Sequence, residues 1–310
     1  MVKILSLCYP TYNRGWCIQE QINRLLKCPK EVLDDIEIII SDNCSDDNTK
    51  EIVESAISKG FICSYYRNET NLGMDGNFVS CFRKAKGKYV WLLGDDDYLY
   101  PDALEEIVEL LKNNNYGLLH ISNQLIPSYK IKVFVDDQEF CREMSYMCTL
   151  ISANIPQAKY VKLIPFEKYM GTWFTLLPLY YKSLHEENQN AIISAKVFDG
   201  AIDCKRNGGY HYFEVFVKNY LDLHKEFVDN KYINIKTYRF VKRDIFNKLL
   251  VPAILTLLIF RLKSNYRLEN SWSIVNKYYH REYYYYLFPF KAIKYLIYLV
   301  YYKLNTFFCR

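Results

Sequence analysis

The 310-residue sequence has little glycine and proline and lacks several signals that would assign it to a class at once. Its 11 glycines and 9 prolines exclude a collagen-like chain and a Pro-rich linker. No CxxC pair occurs among the ten cysteines, and none lies near a histidine at zinc-ligand spacing. We therefore expect reduced thiols in a cytosolic protein, with a secreted domain held by disulfides as the alternative.

Long apolar segments and an N-terminal leader are missing as well. The two longest apolar runs are residues 249–260 and 292–302, and the second is broken by Lys294. Both fall short of the ~20 residues that span a bilayer. The first residues lead directly into a strand-like run, so we expect no signal peptide.

Positive charge and tyrosine are concentrated near the C-terminus. From residue 230 onward there are 15 Lys and Arg against 3 Asp and Glu, a net charge of +12, whereas the rest has 25 against 32, a net charge of −7. Thirteen of the 30 tyrosines also lie in this segment. With 50% hydrophobic and 24% charged residues, the whole chain is typical of a globular protein. The basic segment is expected to face an anionic partner, either a membrane surface or a nucleic acid.

The first 122 residues alternate between apolar runs of strand length and segments with helical spacing. The predicted strands are residues 3–9, 36–40, 61–66, 88–93 and 118–122, and the predicted helices are residues 16–26, 45–57, 76–85 and 101–112. This alternation predicts an α/β fold with a doubly wound sheet. In such sheets, ligands bind beyond the carboxyl ends of the strands. We therefore expect a ligand site in loops 10–14, 42–45, 68–77 and 94–97.

Three consecutive aspartates, Asp95, Asp96 and Asp97, follow Gly94 at the end of the fourth predicted strand. Such carboxylates repel one another unless a cation lies among them. Mg²⁺ or Mn²⁺ is commonly held by one or two carboxylates together with substrate phosphates. We interpret the run as a metal–diphosphate site, and a solvated acidic turn that caps the next helix is the alternative. The apolar strand before the run and the Tyr-Leu-Tyr-Pro sequence after it favour the metal site.

The other three loops are weaker signals when each is taken alone. Loop 10–14 contains none of the glycines of a GxGxxG motif or a P-loop. Asp42 can accept a hydrogen bond from a base N–H or a ribose hydroxyl, with helix capping as the alternative. The run Ser45-Asp46-Asp47 offers an N-cap for the next helix, and Ser45 or Asp46 is expected to do only that. Loop 68–77 has two glycines that permit close approach of the backbone to a ligand, with an ordinary loop as the alternative.

Taken together, the four loops resemble the pattern of glycosyltransferase family 2 over residues 1–122, in order, spacing and strand-end position. They read Pro10-Thr11-Tyr12-Asn13-Arg14, Ser41-Asp42-Asn43-Cys44-Ser45-Asp46-Asp47-Asn48-Thr49, Asn71-Leu72-Gly73 and Leu92-Leu93-Gly94-Asp95-Asp96-Asp97. The Gly-Asp-Asp-Asp variant resembles the subgroup of bacterial abequosyltransferase-like enzymes. The resemblance implies a GT-A fold, an α/β, doubly wound, Rossmann-like sheet, here followed by a helical, basic, Tyr-rich C-terminal extension.

The resemblance also implies which residues bind a nucleoside-diphosphate sugar. The implied donor-binding set is Pro10, Thr11, Tyr12, Asn13, Arg14, Asp42 on the base, Asn71 and Gly73 near the sugar diphosphate, and Asp95 on the ribose side. Asp96 and Asp97 would hold Mg²⁺ or Mn²⁺ across the two phosphates, as in a DXD motif. The metal would stabilise the departing nucleoside diphosphate.

One feature departs from the family pattern. Inverting members often carry a Glu-Asp pair before a tryptophan, with the aspartate as general base, but the matching stretch here is Gly171-Thr172-Trp173. Neither of its first two residues takes a proton at neutral pH. Glu167 is the first candidate for the base because it is near in sequence, and a plain surface glutamate is its alternative. His185, Asp199 and Asp203 are further candidates, or no carboxylate base is used, and the stereochemical outcome stays open.

The C-terminal region has the composition of basic amphipathic helices with interfacial aromatic residues, at 239–262 and 288–308. Such helices lie in the plane of a membrane, and a helical subdomain that packs on the sheet is the alternative. We expect a nucleotide-sugar-binding half at 1–122, an acceptor-side half at 123–230 and a membrane-associating region at 231–310. No RNA-binding signature accompanies the charge, so no nucleic acid partner is expected.

These expectations describe a bacterial glycosyltransferase at the cytoplasmic face of the cell membrane. It would move a hexosyl or related sugar from a nucleoside-diphosphate sugar, UDP by default, to a hydroxyl of a growing, lipid-linked surface glycan. One alternative is a sugar-phosphate nucleotidyltransferase, which the glycine-free loop 10–14 argues against. The other is a non-catalytic, membrane-docked nucleotide-sugar-binding protein, which the missing acidic pair keeps open.

Overall fold

The computed structural model describes residues 3–123, 130–201 and 209–308, with side chains up to residue 299. The chain forms two compact units, Met1–Cys204 and Lys205–Arg310. The four loops singled out from the sequence all belong to the first unit.

The first unit alternates strands and helices up to residue 123 and is more irregular afterwards. Its strands are β1 (Leu5–Thr11), β2 (Ile36–Asp42), β3 (Ser64–Arg67), β4 (Tyr89–Leu92), β5 (Asp97–Leu99), β6 (Leu118–Asn123), β7 (Lys130–Phe134), β8 (Asn154–Pro156), β9 (Asn190–Ala195) and β10 (Phe198–Gly200). Its α-helices are α1 (Gly15–Leu25), α2 (Lys30–Asp35), α3 (Thr49–Ser58), α4 (Gly73–Lys84), α5 (Pro101–Asn113), α6 (Asp137–Met144) and α7 (Leu177–Glu186). Short 3₁₀ segments lie at Ser145–Thr149, Ile151–Ala153, Ala158–Leu163 and Phe166–Tyr169.

Four parallel strands form the sheet that carries the loops, in the order β3-β2-β1-β4. Leu5 of β1 lies opposite Ile36 of β2 on one side and Tyr89 of β4 on the other. The chain therefore winds outward from β1 in both directions, which confirms the predicted doubly wound α/β sheet. The strand order reverses between β1 and β4, and this switch point is where such sheets bind ligands.

A second sheet of four strands has the order β7-β9-β6-β8. Strand β6 runs parallel to β9 and antiparallel to β8, and β7 runs antiparallel to β9. Strands β5 and β10 form a separate antiparallel pair in which Asp97 lies opposite Gly200. The sequence did not predict β5, because three residues are too few to display a period.

The core of the first unit explains why the loops are held firmly. Every residue of β1 and β4 is buried, as expected for parallel strands covered by helices on both faces. Helix α1 buries Ile18 and Ile22 against this sheet. Burial of each such side chain stabilises the fold by about 1.5–3 kcal/mol, so the strand ends that carry the loops are anchored.

The second unit is helical in its described part. Its α-helices are α8 (Tyr220–Asp229), α9 (Ile235–Ile245), α10 (Val251–Ala253), α11 (Ser271–Tyr279), α12 (Tyr283–Tyr286) and α13 (Phe288–Phe308), with π-helical turns at Glu214–Asn219, Phe246–Leu250 and Ile254–Ile259. Phe246 packs against Tyr279 and Tyr284, with ring centroids 4.8 and 5.4 Å apart. Tyr283 and Tyr286 are exposed, so the tyrosines serve both the core and the surface. Among the described residues, no helix combines the length and the apolar character that crossing a membrane requires.

Candidate functional site

The ends of β1 and β4 meet at Asp95. The Thr11 hydroxyl donates to Oδ2 of Asp95 at 2.7 Å, and Nη1 of Arg14 donates to Oδ1 at 2.7 Å. The same Arg14 nitrogen lies 3.0 Å from Oδ2 of Asp96. Burial raises the pKa of Asp95 to about 6, although the Arg14 charge and the Thr11 hydrogen bond act in the opposite direction. Four residues that the sequence places in two separate loops thus form one contact group.

Asp97 is held by a residue far away in the sequence. Oδ2 of Asp97 accepts a hydrogen bond from the Ser152 hydroxyl at 2.5 Å, and the Gly94 N–H donates to the same hydroxyl oxygen at 2.9 Å. The Ser152 carbonyl in turn accepts from Nε1 of the buried Trp91 at 2.8 Å. Burial raises the pKa of Asp97, and the Ser152 hydrogen bond opposes this shift. Ser152 therefore fixes the position of Asp97 and Gly94. No pattern in the sequence predicts this role for Ser152.

Gln21 of α1 also holds the run Asp95-Asp96-Asp97, through its backbone. Its Nε2 donates to the carbonyl oxygen of Asp97 at 2.7 Å and lies 3.3 Å from the carbonyl of Asp95. The side chain is buried between the apolar residues of the helix. The sequence signal for such a role is a polar residue on the buried face of an amphipathic helix, and Gln21 is not among the predicted site residues.

The oxygens of the last two aspartates converge beside Gly94. A Cβ atom added to Gly94 would lie 3.1 Å from Oδ1 of Asp96 and 3.1 Å from Oδ2 of Asp97. Within the described residues, no three His, Cys, Asp or Glu side chains are grouped so that they could hold a metal ion. Two carboxylates suit Mg²⁺ or Mn²⁺ when a bound ligand supplies further oxygens. Asp96 and Asp97 therefore fit a divalent cation, provided that a bound ligand completes its set of oxygen ligands.

Asn13 joins the first loop to the second. Its N–H donates to the Ser45 hydroxyl at 2.9 Å, and its Oδ1 accepts from the Asp46 N–H at 2.7 Å. The φ angle of Asn13 is 53°, a left-handed conformation that asparagine tolerates better than most residues. These bonds fix the backbone on which the predicted donor-binding residues lie.

Within the run Ser45-Asp46-Asp47, the side chain that bonds the first turn of α3 is that of Asp47, whereas the expected Ser45 and Asp46 contact Asn13 instead. Helix α3 begins at Thr49, and Oδ1 of Asp47 accepts from the Thr49 N–H at 3.1 Å. The other oxygen of Asp47 accepts from the Gly15 N–H at 2.9 Å. The helix starts later than the sequence indicated because the preceding residues bind the first loop instead.

Asp42 is fully buried at the end of β2. Its Oδ1 accepts from the Ser45 N–H at 2.8 Å, and its Oδ2 accepts from the Tyr65 hydroxyl at 2.6 Å. Burial raises the pKa of Tyr65, and the hydrogen bond to Asp42 adds to the shift. Asp42 therefore orders the second loop, and its contact with a nucleotide base stays a prediction.

The third loop is held by Asn43, which is not among the predicted donor-binding residues. Nδ2 of Asn43 donates to Oδ1 of Asn71 at 2.8 Å and to the Gly73 carbonyl at 3.1 Å. Gly73 has a φ of 72°, where a side chain would be strained. Asn71 and Gly73 are thus brought to the end of β2, beside the loop that follows Asp42.

The remaining predicted donor-binding residues are Pro10 and Tyr12. Pro10 is buried within β1 opposite Ser41. Tyr12 follows the strand and is exposed. Its contact with a donor stays a prediction.

Each described candidate for the general base lies against a polar or charged side chain. The Glu167 side chain is 69% exposed and pairs with Arg83, whose hydrogen bond lowers the pKa of Glu167. Asp199 pairs with Lys196 at 2.6 Å, which lowers the pKa of Asp199. His185 lies 3.2 Å from Asp137. Asp203 lies outside the described residues.

Comparison with known sequences identifies similar proteins for the first part of the chain. Residues 6–130 match the family model described as glycosyl transferase family 2. Over 102 residues the chain is 42% identical to abequosyltransferase RfbV of Salmonella typhimurium, a match that covers 33% of this chain and 30% of that protein. Over 118 residues it is 31% identical to the GalNAc(5)-diNAcBac-PP-undecaprenol beta-1,3-glucosyltransferase of Campylobacter jejuni, covering 38% and 36%. The chain thus spans about a third of the length of these curated relatives.

Solved structures resemble nearly the whole chain. S. aureus TarS 1–349 superimposes with a TM-score of 0.61 at 18% identity over 90% of this chain and 82% of that one. The same protein in complex with UDP gives a TM-score of 0.60 at 18% identity, over 88% and 78%. A mannosyltransferase from Pyrobaculum calidifontis in complex with GDP-Man and Mn²⁺ gives 0.55 at 14% identity, over 82% and 72%. At these identities the likeness concerns the fold, and it confirms the expected GT-A architecture.

Proposed function

We propose that this protein transfers a sugar from a nucleoside-diphosphate donor to a hydroxyl group, because residues 6–130 match the family model of glycosyl transferase family 2. The observation that carries the proposal is the group of Asp95, Asp96 and Asp97 at the strand switch point, joined to Thr11 and Arg14 at the end of β1. A switch point is where doubly wound sheets bind ligands. The matched family segment includes all five residues.

Asp96 and Asp97 would hold Mg²⁺ or Mn²⁺ together with the two phosphates of the donor. The convergence of their oxygens beside Gly94 supports this assignment, as does the Mn²⁺ in the mannosyltransferase of similar fold. When bound, the metal would neutralise the negative charge that develops on the departing diphosphate.

The chain's own residues hold this site in shape. Ser152 and Gln21 fix the backbone and one carboxylate of the aspartate run. Arg14 places a permanent positive charge beside Asp95 and Asp96, where it also offers donors to a phosphate. The site is therefore built before the donor arrives, which lowers the free energy lost to ordering on binding.

UDP is the nucleotide we propose first, because the TarS structures of the same fold contain UDP and UDP-GlcNAc. The donor would lie against the set predicted from the sequence, which is Pro10, Thr11, Tyr12, Asn13, Arg14, Asp42, Asn71, Gly73 and Asp95. In this assignment residues 1–122 bind the donor and residues 123–230 contribute the acceptor side.

The acceptor we propose is a growing, lipid-linked bacterial surface glycan at the inner face of the cell membrane. The names of the Salmonella and Campylobacter relatives support this class. Residues 231–310 would associate with the membrane. Helix α13 supports this role, because it exposes 72% of Phe290, 56% of Ile293 and 65% of Ile297, with exposed Lys294 beside them. These spacings place the three apolar side chains on one helix face.

Thermal unfolding with Mn²⁺ and each of UDP, GDP, CDP and dTDP tests the donor site. A ligand at about 100 times its dissociation constant adds about 2.7 kcal/mol to the free energy of unfolding. We expect one nucleotide to raise the melting temperature, and only with metal. Release of that nucleoside diphosphate from its sugar derivative would then establish transfer to water or an added acceptor.

Other outcomes would favour the alternatives. Pyrophosphate release from a sugar 1-phosphate and a nucleoside triphosphate would favour a nucleotidyltransferase. Nucleotide-sugar binding without release of the diphosphate, under all acceptor conditions, would favour a binding protein. No melting shift with any nucleotide would contradict the donor site.

A further inference from the structure

The carboxylate of Asp75, on helix α4, contacts the segment Gly171-Thr172-Trp173, which has no carboxylate of its own. Asp75 lies in the first turn of α4, and its Oδ2 accepts a hydrogen bond from the Gly171 N–H at 2.7 Å. The two residues are 96 positions apart in the chain. Asp75 therefore stands beside Gly171-Thr172-Trp173, the stretch that carries no side chain able to accept a proton at neutral pH.

The segment around Gly171 is an irregular turn with two left-handed residues. Gly171 has a φ of 78° and Trp173 a φ of 70°. The Thr172 hydroxyl donates to the Tyr169 carbonyl at 2.6 Å and accepts from the Phe174 N–H at 3.1 Å. A left-handed tryptophan costs on the order of 1–3 kcal/mol and persists only where its surroundings impose it. This turn holds the Trp173 side chain 39% exposed.

Asp75 also joins this turn to the donor loops. It is two residues after Gly73, which Asn43 holds at the end of β2. The N-terminal turn of α4 thus has the proposed sugar-diphosphate residues at its start and the Gly171 turn at Asp75. A group that accepts a proton during transfer must reach both the donor and the acceptor. Asp75 is close to Gly73 in the chain and is hydrogen-bonded to the Gly171 turn.

The surroundings of Asp75 suit a proton acceptor. Burial raises the pKa of its carboxyl, and the hydrogen bond from the Gly171 N–H acts in the opposite direction. In the described part of the chain, no charged side chain contributes to this pKa shift. Glu167 differs, because the hydrogen bond from Arg83 lowers its pKa and makes it a weaker base. A general base works best with a pKa raised toward the operating pH.

We propose that Asp75 is the general base of the sugar transfer, an assignment that rests on the proposed function. The oxygen of the acceptor hydroxyl forms a bond to the anomeric carbon while the bond from that carbon to the diphosphate oxygen breaks. The hydroxyl proton passes to the Asp75 carboxylate, and the electron pair of the broken bond leaves with the nucleoside diphosphate. The carboxylate comes from α4 and replaces the one that the Gly171 turn lacks.

The Asp75→Asn variant separates this role from a structural one. The asparagine amide oxygen can still accept the Gly171 N–H, so the turn keeps its anchor, but the amide takes no proton. We expect kcat for release of UDP from UDP-GlcNAc, or of GDP from GDP-mannose, to fall about 10²–10⁴-fold with Mn²⁺ and water as acceptor. KM for the donor and the melting temperature should stay close to those of the wild type.

Three further variants complete the design. Asp102→Asn removes an exposed acid from the first turn of α5 and serves as the matched control, with unchanged rate expected. Asp75→Glu keeps a carboxylate and should recover part of the rate. Glu167→Gln tests the rival base directly.

The proposal is overturned if Asp75→Asn keeps the wild-type kcat, or if only its KM or melting temperature changes. It is also overturned if Glu167→Gln, and not Asp75→Asn, loses the rate. Failure of the proposed function looks different, because the wild type itself would then release no nucleoside diphosphate from any nucleotide sugar tested.

Discussion

Nη1 of Arg14 lies 2.7 Å from Oδ1 of Asp95. The same nitrogen is 3.0 Å from Oδ2 of Asp96. Three adjacent carboxylates need a positive charge among them, and the structure supplies one from the chain itself. A divalent cation at Asp96 and Asp97 would therefore share the Asp96 carboxylate with Arg14.

The Arg14→Gln variant should be less stable than the wild type and more responsive to metal. Loss of the charged hydrogen bonds leaves the partly buried carboxylates repelling one another, at a cost of about 1–3 kcal/mol in the free energy of unfolding. Mn²⁺ alone should then raise the melting temperature more in the variant than in the wild type. Lys30→Gln, which breaks an exposed ion pair with Asp34, should change little. Equal stability and equal Mn²⁺ response of the Arg14 variant and the wild type would contradict this account.

A methyl group at Gly94 should weaken donor binding without unfolding the chain. The added Cβ would press on Oδ1 of Asp96 and Oδ2 of Asp97, each at 3.1 Å. We expect Gly94→Ala to bind UDP with Mn²⁺ at least about tenfold more weakly in calorimetry, about 1.4 kcal/mol. Gly200→Ala is the matched control, because a Cβ there meets nothing within 4 Å. Equal affinity of the two variants would argue against a metal site beside Gly94.

Stability should fall in mild acid because of a buried histidine. Burial lowers the pKa of His120 to about 4, against the hydrogen bond with Asn154. The unfolded chain, with a histidine pKa near 6.5, binds more protons in this range, so the free energy of unfolding rises with pH between about 4 and 6.5. One such histidine accounts for about 3 kcal/mol lost on acidification across that window.

Urea unfolding of wild type and His120→Gln at about pH 7 and about pH 4.5 measures this contribution. The variant should lose less stability on acidification than the wild type, whereas His280→Gln, at an exposed position, should behave like the wild type. Identical pH dependence of all three proteins would show that His120 is not the cause.

The exposed face of α13 should govern binding to anionic vesicles. Replacing Ile297 by glutamate removes an apolar side chain worth about 1.5–3 kcal/mol when it enters a lipid interface. We expect Ile297→Glu to bind phosphatidylglycerol vesicles at least about tenfold more weakly in sedimentation. Ile62→Glu, at a position 86% exposed in the first unit, should bind like the wild type. If both variants sediment like the wild type, the α13 face is not the membrane contact.

Local pattern in the sequence determined the alternation of strands and helices in the first 122 residues. An apolar run such as residues 36–40 predicts a buried strand, and an amphipathic segment such as residues 16–26 predicts a helix. Both predictions are possible because the hydrophobic period is a property of neighbouring residues. The strand ends then follow, and with them the loops that carry Asp42 and Asp95. This is why the α/β fold and the position of the site could be predicted without coordinates.

The tertiary structure alone decided which side chains support that site. Gln21, Asn43, Ser152 and Asp75 each act on residues that lie far away in the chain, as Ser152 does on Asp97 across 55 positions and Asp75 on Gly171 across 96. Nothing in a local period encodes such partners, because they depend on how elements pack after the sheet has formed. The local sequence pattern therefore determined a sheet with aspartates at its edge. The packing of distant elements determined which groups hold those carboxylates, and it placed Asp75 beside Gly171.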